Sequence, residues 1–134
     1  RNFETGLSEI AQREDVGLLA YSPLAQGYLT GKYQNGARPE GARTTLFNRG
    51  QRYETPSAEA TIDKYLELAK EIDLTPSQLA LQFCATRPFM TSVIIGATKM
   101  EQLREDIGAF DVEWNKEIEH KINAIHKSCP NPCP

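Results

Sequence analysis

Residues 20–33 read AYSPLAQGYLTGKY and carry groups that suit a bound phosphate. Gly27 and Gly31 lie four positions apart, and Lys32 follows the second glycine directly. Glycines let the backbone approach a ligand closely, and a lysine ammonium attracts phosphate. The spacing is not that of a Walker loop, which has four residues between its glycines and Ser or Thr after the lysine, nor that of a dinucleotide fingerprint. Spacing alone therefore leaves two interpretations open, a phosphate-binding loop and a structural turn.

A second candidate anion site follows the apolar run SVIIG. Gly96 leads into Thr98-Lys99-Met100-Glu101, a pattern that predicts a capping box at the start of a helix. The first turn of a helix has free N–H groups and the positive end of the helix dipole, so it attracts anions. The alternative is an ordinary strand-to-helix connection.

Two further side chains suit a nucleotide. Arg43 lies in a long polar segment and suits bidentate contact with a pyrophosphate, with a solvated surface arginine as the alternative. Arg38, Arg49 and Arg52 of the same segment are interpreted as surface arginines. Tyr21 ends an apolar run, where its ring would either stack on an aromatic cofactor or pack in the core.

The chain offers little for catalysis or metal binding. Its two histidines, His120 and His126, lie near the end on a predicted peripheral helix, so no Ser-His-Asp or Cys-His arrangement is predicted. Cys84 is expected in the core. Cys129 and Cys133 form a C-x3-C pair without a partner pair, which favours a Pro-rich tail over a metal site. We predict no catalytic residue and no metal ligand.

Helices and strands must alternate to position these residues. The patterns predict a helix over 3–14, a strand over 18–21, a long loop over 34–55, helices over 57–72 and 75–86, a strand over 91–96, and helices from 98 and over 115–126. This order indicates an α/β fold whose parallel strands are buried on both faces. If the two strands are neighbours, both candidate loops open onto one face. Two strands are too few for a stable sheet, so we expect missing strands from elsewhere.

The predicted helices bury apolar stripes at helical spacing. The expected buried positions are Phe3, Leu7, Ile10 and Ala11; Ala58, Ile62, Tyr65, Leu66, Ala69 and Ile72; Leu103, Ile107 and Phe110; and Ile118, Ile122 and Ile125.

Composition is ordinary for one small globular domain. The chain has 134 residues, of which 40% are hydrophobic and 25% charged, with a formal net charge of -3. No basic face for nucleic acid is expected, and a small-molecule partner fits better. No apolar run approaches the roughly 18 residues of a membrane span, and the first residues do not resemble a signal peptide. The odd cysteine count argues against a disulfide framework, so we expect a cytoplasmic location.

Several stretches together resemble the C-terminal portion of the aldo-keto reductases, in particular the Tas-like branch related to the potassium-channel beta subunits. The matching stretches are Phe3-Glu4, LLAYSPLAQGYLTGKY, GARTTLFNRGQRY, TPSQLALQFC and SVIIGATKMEQLREDIGAF, which cover nearly the whole chain. The family is a (β/α)8 TIM barrel that binds NADPH and reduces carbonyls to alcohols. The resemblance implies that residues 1–134 form a single segment, supplying the last two barrel strands and the surrounding helices. Its partner would be the missing N-terminal half of the barrel, in the same or another chain.

The resemblance also implies a set of NADP(H) contacts. Tyr21 would stack on the nicotinamide. The pyrophosphate loop would consist of Ser22, Pro23, Leu24, Gln26 and Gly27, with phosphate contacts from Lys32 and Arg43. The 2'-phosphate side would be held by Gly96, Thr98 and Lys99, and the adenine and ribose would lie near Gln102, Glu105 and Asp106. Relatives often have Asn at position 106, and a carboxylate there cannot donate to a ring nitrogen of adenine.

The family's catalytic Asp, Tyr, Lys and His lie in stretches that this chain does not contain. The parent protein is therefore expected to reduce aldehydes or ketones with NADPH, whereas this chain alone is expected to be inactive. The cofactor preference rests on Lys32, Arg43 and Lys99, which favour the extra phosphate of NADPH over NADH. The alternative is a non-catalytic module that binds NADP(H) or docks to a partner.

Overall fold

A computed structural model describes residues 1–48 and 50–133. Arg49 and Pro134 lie outside this part, so the prediction of a surface arginine at position 49 is not tested. The described residues form six α-helices and two β-strands: α1 (Leu7–Arg13), β1 (Leu18–Tyr21), α2 (Arg43–Phe47), α3 (Pro56–Glu71), α4 (Pro76–Ala85), β2 (Met90–Ile94), α5 (Met100–Gly108) and α6 (Lys116–Ser128). Short 3-10 helices cover Asn2–Glu4, Ala25–Thr30, Gln34–Gly36, Gln51–Tyr53 and Ala109–Asp111.

The two strands are parallel neighbours, as the alternation of elements predicts. Leu18 lies opposite Met90 and Tyr21 opposite Ile94, with an irregularity in the register between Leu18 and Leu19. Because both strands run in the same direction, their C-terminal ends meet at one edge. The segments that follow β1 and β2 therefore start side by side.

Only one face of this sheet is covered, so the prediction of strands buried on both faces is wrong. Alternate residues of β1 are half-buried and exposed. The exposed fractions are 59% for Leu19, 78% for Tyr21 and 50% for Ile94. Both strands have the apolar sequences of strands that are covered on both faces. In the structure, α4 packs against β2, and the opposite face of the sheet has no cover among the described residues.

Helices α3 and α4 each begin with a capping threonine that is followed by a proline. The Thr55 side chain accepts a hydrogen bond from the Ala58 N–H, and Pro56 occupies the first helical position. Thr75 forms a full capping box, because its hydroxyl accepts from the Gln78 N–H while the Gln78 side chain accepts from the Thr75 N–H. Each cap satisfies backbone donors that the helix itself leaves unpaired.

The main core lies between α3, α4 and α6. Its buried members are Leu68, Ala69, Leu79, Ile118 and Ile122. This confirms the predicted burial of Ala69 on α3 and of Ile118 and Ile122 on α6. An ion pair also joins the segment just after α4 to α6, since Arg87 Nη1 and Nη2 lie 3.0 and 2.5 Å from the two carboxylate oxygens of Glu119.

A second cluster attaches the long segment between β1 and α3 to the surface of α3. Tyr28, Tyr33 and Ile62 are buried in it. The Tyr28 ring centroid lies 4.6 Å from that of Tyr33 and 5.1 Å from that of Tyr53. The Tyr28 hydroxyl also donates to Glu54 Oε1 at 2.5 Å. The predicted loop over 34–55 is therefore a folded segment with short helical turns.

The first and fifth helices differ from their predictions. Helix α1 begins at Leu7 rather than Phe3, because Gly6 has a φ of +92° that interrupts the helix. Leu7 and Ile10 are more than half exposed, whereas Ala11 is buried. Among the described residues, α1 has little to pack its apolar stripe against.

On α5, the predicted stripe of Leu103, Ile107 and Phe110 is also wrong in part. Leu103 is half-buried, but Ile107 and Phe110 are exposed. The residue of α5 that is buried is Asp106. Helical periodicity identifies the apolar face correctly, but another part of the fold must cover that face before it is buried.

Candidate cofactor-binding site

The segment after β1 is a tight loop with an unusual backbone. Ser22, Ala25 and Gln26 have φ values of +54°, +49° and +58°, although none of them is glycine. The left-handed region costs such residues free energy, and they tend to cluster at ligand sites where the surrounding structure imposes them. The loop closes through hydrogen bonds from the Gly27 N–H to Leu24 O at 2.8 Å and from the Thr30 hydroxyl to Gly27 O at 2.8 Å.

Lys32 folds back over Gly27. A Cβ atom at Gly27 would lie 2.5 Å from Lys32 Cε and 2.7 Å from Nζ, so only glycine leaves room for this lysine. No carboxylate of the described residues forms a salt bridge with Lys32, whose ammonium lies 5.3 Å from the Tyr33 ring centroid. The ammonium is held against the loop backbone and remains available to an anion.

The Gln26 side chain has an unsatisfied acceptor. Its Oε1 atom is buried and has no hydrogen-bond partner among the described residues. An unpaired buried acceptor costs about 1–3 kcal/mol, so such a group often marks a place where a donor is supplied from outside the chain. A cofactor bound along this loop would supply one.

Tyr21 lies at the end of β1 with its ring in solvent. It is 78% exposed, so the alternative of core packing is wrong within this chain. Pro23 and Leu24 are half-buried in the loop that follows. The Tyr21 ring is therefore free to stack on a planar group at the edge where both loops begin.

Arg43 lies near the loop that carries Lys32. It is the first residue of α2 and is exposed. The N–H of its neighbour Thr44 donates to the Tyr33 hydroxyl at 3.2 Å, so the residue after Lys32 contacts the residue after Arg43. The sequence indicates Lys32 and Arg43 as candidate phosphate contacts but does not indicate this hydrogen bond. At Tyr33 the sequence shows only that the residue after the lysine is not the Ser or Thr of a Walker motif.

The other two arginines of this segment that the structure describes lie on the surface, as predicted. Arg38 is exposed and pairs with Glu54, its Nη2 lying 2.7 Å from Oε1. Arg52 is exposed, with its guanidinium carbon 5.5 Å from the Tyr53 ring centroid.

At the second loop, the predicted capping box of Thr98 and Glu101 is wrong. Lys99 is the N-cap residue of α5, because the helix begins one residue later than the capping pattern requires. The N–H and the hydroxyl of Thr98 both donate to Gln102 Oε1, at 3.0 and 3.2 Å. Gly96 and Lys99 are exposed beside this first turn. Two of the proposed contact residues, Thr98 and Gln102, thus bond to each other.

Asp106 lies on the inner side of α5. It is 3% exposed. Burial, with a smaller contribution from the charge of Glu105, raises the pKa of the Asp106 carboxyl. Glu105 is half-buried. The adenine contacts of these two residues stay predictions.

Metal-binding clusters and membrane-spanning helices are both absent from the described residues. They contain no group of three or more His, Cys, Asp or Glu side chains placed to hold a metal ion. None of the helices in residues 1–48 and 50–133 has the length and apolar character to cross a membrane.

Parallel strands, with glycine-bearing and basic loops at their shared edge, define an α/β chain with a candidate nucleotide site. Comparison with known proteins then identifies the family. Residues 1–127 match the Aldo/keto reductase family, so the chain belongs to it. The resemblance seen in the motifs is confirmed.

The relatives are longer proteins. The chain is 43% identical over 134 residues to protein Tas of Escherichia coli K12, covering all of this chain and 39% of that protein. It is 35% identical to a putative voltage-gated potassium channel subunit beta of Schizosaccharomyces pombe, covering 96% of this chain and 39% of the relative. It is 36% identical to L-glyceraldehyde 3-phosphate reductase of E. coli K12, covering 81% of this chain and 32% of that protein. The chain spans about two fifths or less of these relatives.

Proposed function

We propose that this chain is the cofactor-binding part of an NADP(H)-dependent aldo-keto reductase that reduces aldehydes or ketones to alcohols. The observation that carries the proposal is the Lys32 ammonium, which lies over Gly27 in the segment that follows β1 and has no carboxylate partner among the described residues. Loops at the C-terminal ends of parallel strands are where α/β folds bind nucleotides. The family relationship supports the same assignment, together with a cytoplasmic location.

The residues present fit a dinucleotide phosphate. Gly27 leaves space that a side chain would fill, and the buried Gln26 Oε1 lacks a donor. Lys32 and Arg43 would neutralise the pyrophosphate, while Lys99 at the start of α5 would attract the 2'-phosphate. Tyr21 would orient the nicotinamide by stacking. NADPH, when bound, supplies the hydride for carbonyl reduction.

The proposal includes a partner, the remaining part of a (β/α)8 barrel in which β1 and β2 are the last two strands. The uncovered sheet face with Leu19, Tyr21 and Ile94 supports this, since exposed apolar strand residues are those that further barrel elements would cover. The catalytic Asp, Tyr, Lys and His belong to that remaining part. We therefore expect no NADPH oxidation by this chain alone with a panel of aldehydes, and measurable turnover would contradict that expectation.

Calorimetric titration of NADP+ into the 134-residue chain tests the cofactor site directly. Calorimetry is preferable to tryptophan fluorescence, because the indole N–H of Trp114 donates to Glu119 at the interface of α4 and α6. Lys32→Met keeps the aliphatic stem but removes the charge, so the affinity should fall roughly 10- to 100-fold, as expected for a charge-assisted hydrogen bond. Lys70→Met, on the exposed side of α3, is the matched control. Equal affinities for the wild type and Lys32→Met would refute the assignment of Lys32.

A second candidate function is a non-catalytic module that binds NADP(H) or docks to a partner. The similarity to a protein described as a potassium channel subunit beta favours it, as do the exposed apolar residues of α1 and α5. The two candidates differ in the activity of the whole parent protein. NADP+ binding by a parent that does not oxidise NADPH with any carbonyl substrate would favour the module.

A further inference from the structure

Tyr33 connects the two cations to which the proposed function assigns pyrophosphate contacts. It follows Lys32 directly in the chain, and its hydroxyl accepts a hydrogen bond at 3.2 Å from the N–H of Thr44, the residue after Arg43. Tyr33 and Thr44 are 5% and 3% exposed, so this hydrogen bond lies inside the protein. A buried side chain next to one cation is therefore bonded to the backbone next to the other.

The Tyr33 hydroxyl supplies a cap that α2 lacks in its own N-terminal residues. The N-cap residue of α2 is Ala42, which has no side-chain acceptor, and Arg43 is the first helical residue. The N–H groups of the first turn have no partner within a helix, so the N–H of the second helical residue, Thr44, needs an acceptor from elsewhere. Tyr33 provides this acceptor from eleven positions away. The hydrogen bond thus fixes where α2 begins, and with it the backbone position of Arg43.

Packing holds the Tyr33 ring in place. The ring belongs to the buried cluster with Tyr28 and Ile62, and its centroid lies 4.6 Å from that of Tyr28. The Lys32 ammonium lies 5.3 Å from the Tyr33 ring centroid, a distance at which an aromatic ring attracts a cation. The loop after β1 is also close, because a Cβ atom at Gly27 would lie 3.5 Å from Tyr33 Cε2. The hydroxyl that caps α2 is therefore carried by a ring with a fixed position.

The chain that connects the two cations is mostly exposed loop. Residues 35–41 are all exposed. Gly36 and Gly41 have φ values of +73° and +72°, and a Cβ atom at either position would have no heavy atom within 4 Å. The hydrogen bond between Tyr33 and Thr44 closes this loop at its buried base.

We propose that Tyr33 is a positioning residue of the cofactor site, whose hydroxyl caps α2 and so holds Arg43 at the spacing from Lys32 that a pyrophosphate requires. This inference rests on the proposed NADP(H) function, which assigns phosphate contacts to both cations. A pyrophosphate has two linked anionic groups, so both cations must reach it together. Cations that are already in position lose less conformational entropy on binding than cations that the ligand must order. Tyr33 acts through Arg43 and is assigned no contact with the cofactor.

Calorimetric titration of NADP+ into the Tyr33→Phe chain tests this role, because phenylalanine keeps the packed ring and removes only the hydroxyl. The affinity should fall roughly 2- to 10-fold, the effect of one net hydrogen bond. Tyr65→Phe is the matched control, since it removes a tyrosine hydroxyl beside the main core, and it should bind as tightly as the wild type. Wild-type binding that Tyr33→Phe leaves unchanged would overturn this inference alone. No binding by the wild type would overturn the proposed cofactor site and this inference with it.

A double-mutant cycle separates positioning from a general structural role. In an Arg43→Met background, Tyr33→Phe should have almost no further effect on NADP+ affinity, because the guanidinium that it positions is already absent. In a Lys32→Met background, Tyr33→Phe should still lower the affinity roughly 2- to 10-fold. An equal loss with and without the Arg43 side chain would mean that Tyr33 only stabilises the fold, and would overturn the proposal.

Amide hydrogen exchange in the absence of cofactor measures the cap itself. Removal of the acceptor in Tyr33→Phe should speed exchange of the Thr44 amide roughly 2- to 10-fold, because one hydrogen bond that opposes local opening is lost. Tyr65→Phe should leave this exchange rate unchanged. A Thr44 exchange rate that is the same in Tyr33→Phe and the wild type would overturn the proposal, whatever the affinities.

Discussion

The contact between Lys32 and Gly27 predicts that Gly27→Ala weakens cofactor binding while affecting stability only through the backbone. Gly27 has a φ of +96°, and its new Cβ would lie 2.5 Å from Lys32 Cε and 2.7 Å from Nζ. These atoms end a flexible side chain, so the lysine moves aside at little cost in folding free energy. Its ammonium then no longer lies over the loop backbone.

Gly36→Ala provides a matched control for the backbone strain. Gly36 has a φ of +73°, but its new Cβ would have no heavy atom within 4 Å. Both variants should lose about 1–2 kcal/mol of unfolding free energy, the cost of placing alanine in the left-handed region. Only Gly27→Ala should lose NADP+ affinity, by roughly 10- to 100-fold, because one charge-assisted contact is removed.

Urea denaturation measures the change in unfolding free energy, and calorimetric titration measures the change in NADP+ affinity. The double variant Gly27→Ala/Lys32→Ala completes a double-mutant cycle. In the Lys32→Ala background, Gly27→Ala should have almost no further effect on NADP+ affinity, because the lysine is already absent. The reasoning is refuted if Gly27→Ala binds as tightly as the wild type, or if Gly36→Ala loses the same affinity.

Two further substitutions test interactions that stabilise the fold. Gly50→Ala would place a Cβ 2.7 Å from the buried Tyr28 ring, so urea denaturation should show an unfolding free energy about 2–5 kcal/mol lower than that of the wild type. A decrease no larger than that of Gly36→Ala would contradict this. Glu119→Gln should cost about 1–3 kcal/mol at pH 7, because hydrogen bonds from Arg87 lower the pKa of Glu119 from its ordinary 4.5. This stabilisation is complete above pH 4.5 and is lost as the pH falls through the lowered pKa. The difference in unfolding free energy between the wild type and Glu119→Gln should therefore disappear in acid. A difference that does not change with pH would contradict this.

The sequence predicts well what is local. Thr75 and Gln78 define a capping box within four residues, and the structure contains it. The repeat of Ile118 and Ile122 indicates which face of α6 is buried, and these residues lie in the core. The β-branched run after Pro88 predicts a strand, with a shift of one or two residues in its bounds.

Burial and long-range contacts are less accessible, because they depend on elements distant in sequence. Leu19 and Ile107 have the spacing of buried residues, yet nothing in the described chain covers them. The hydrogen bond between Thr44 and Tyr33 joins residues eleven positions apart, and no motif indicates it. Asp106 is buried although its residue type is usually exposed, because its position on α5 faces inward.

The pairing of β1 with β2 also bears on how the chain behaves in concentrated solution. Each strand has one neighbour, and no other strand in residues 1–48 and 50–133 pairs with the remaining edges. The strands read LLAY and MTSVI, without a charge or a proline. Lysine, proline and charged residues are the usual devices that stop a free edge from adding strands of other molecules. The isolated chain is therefore prone to edge-to-edge aggregation through β1 and β2.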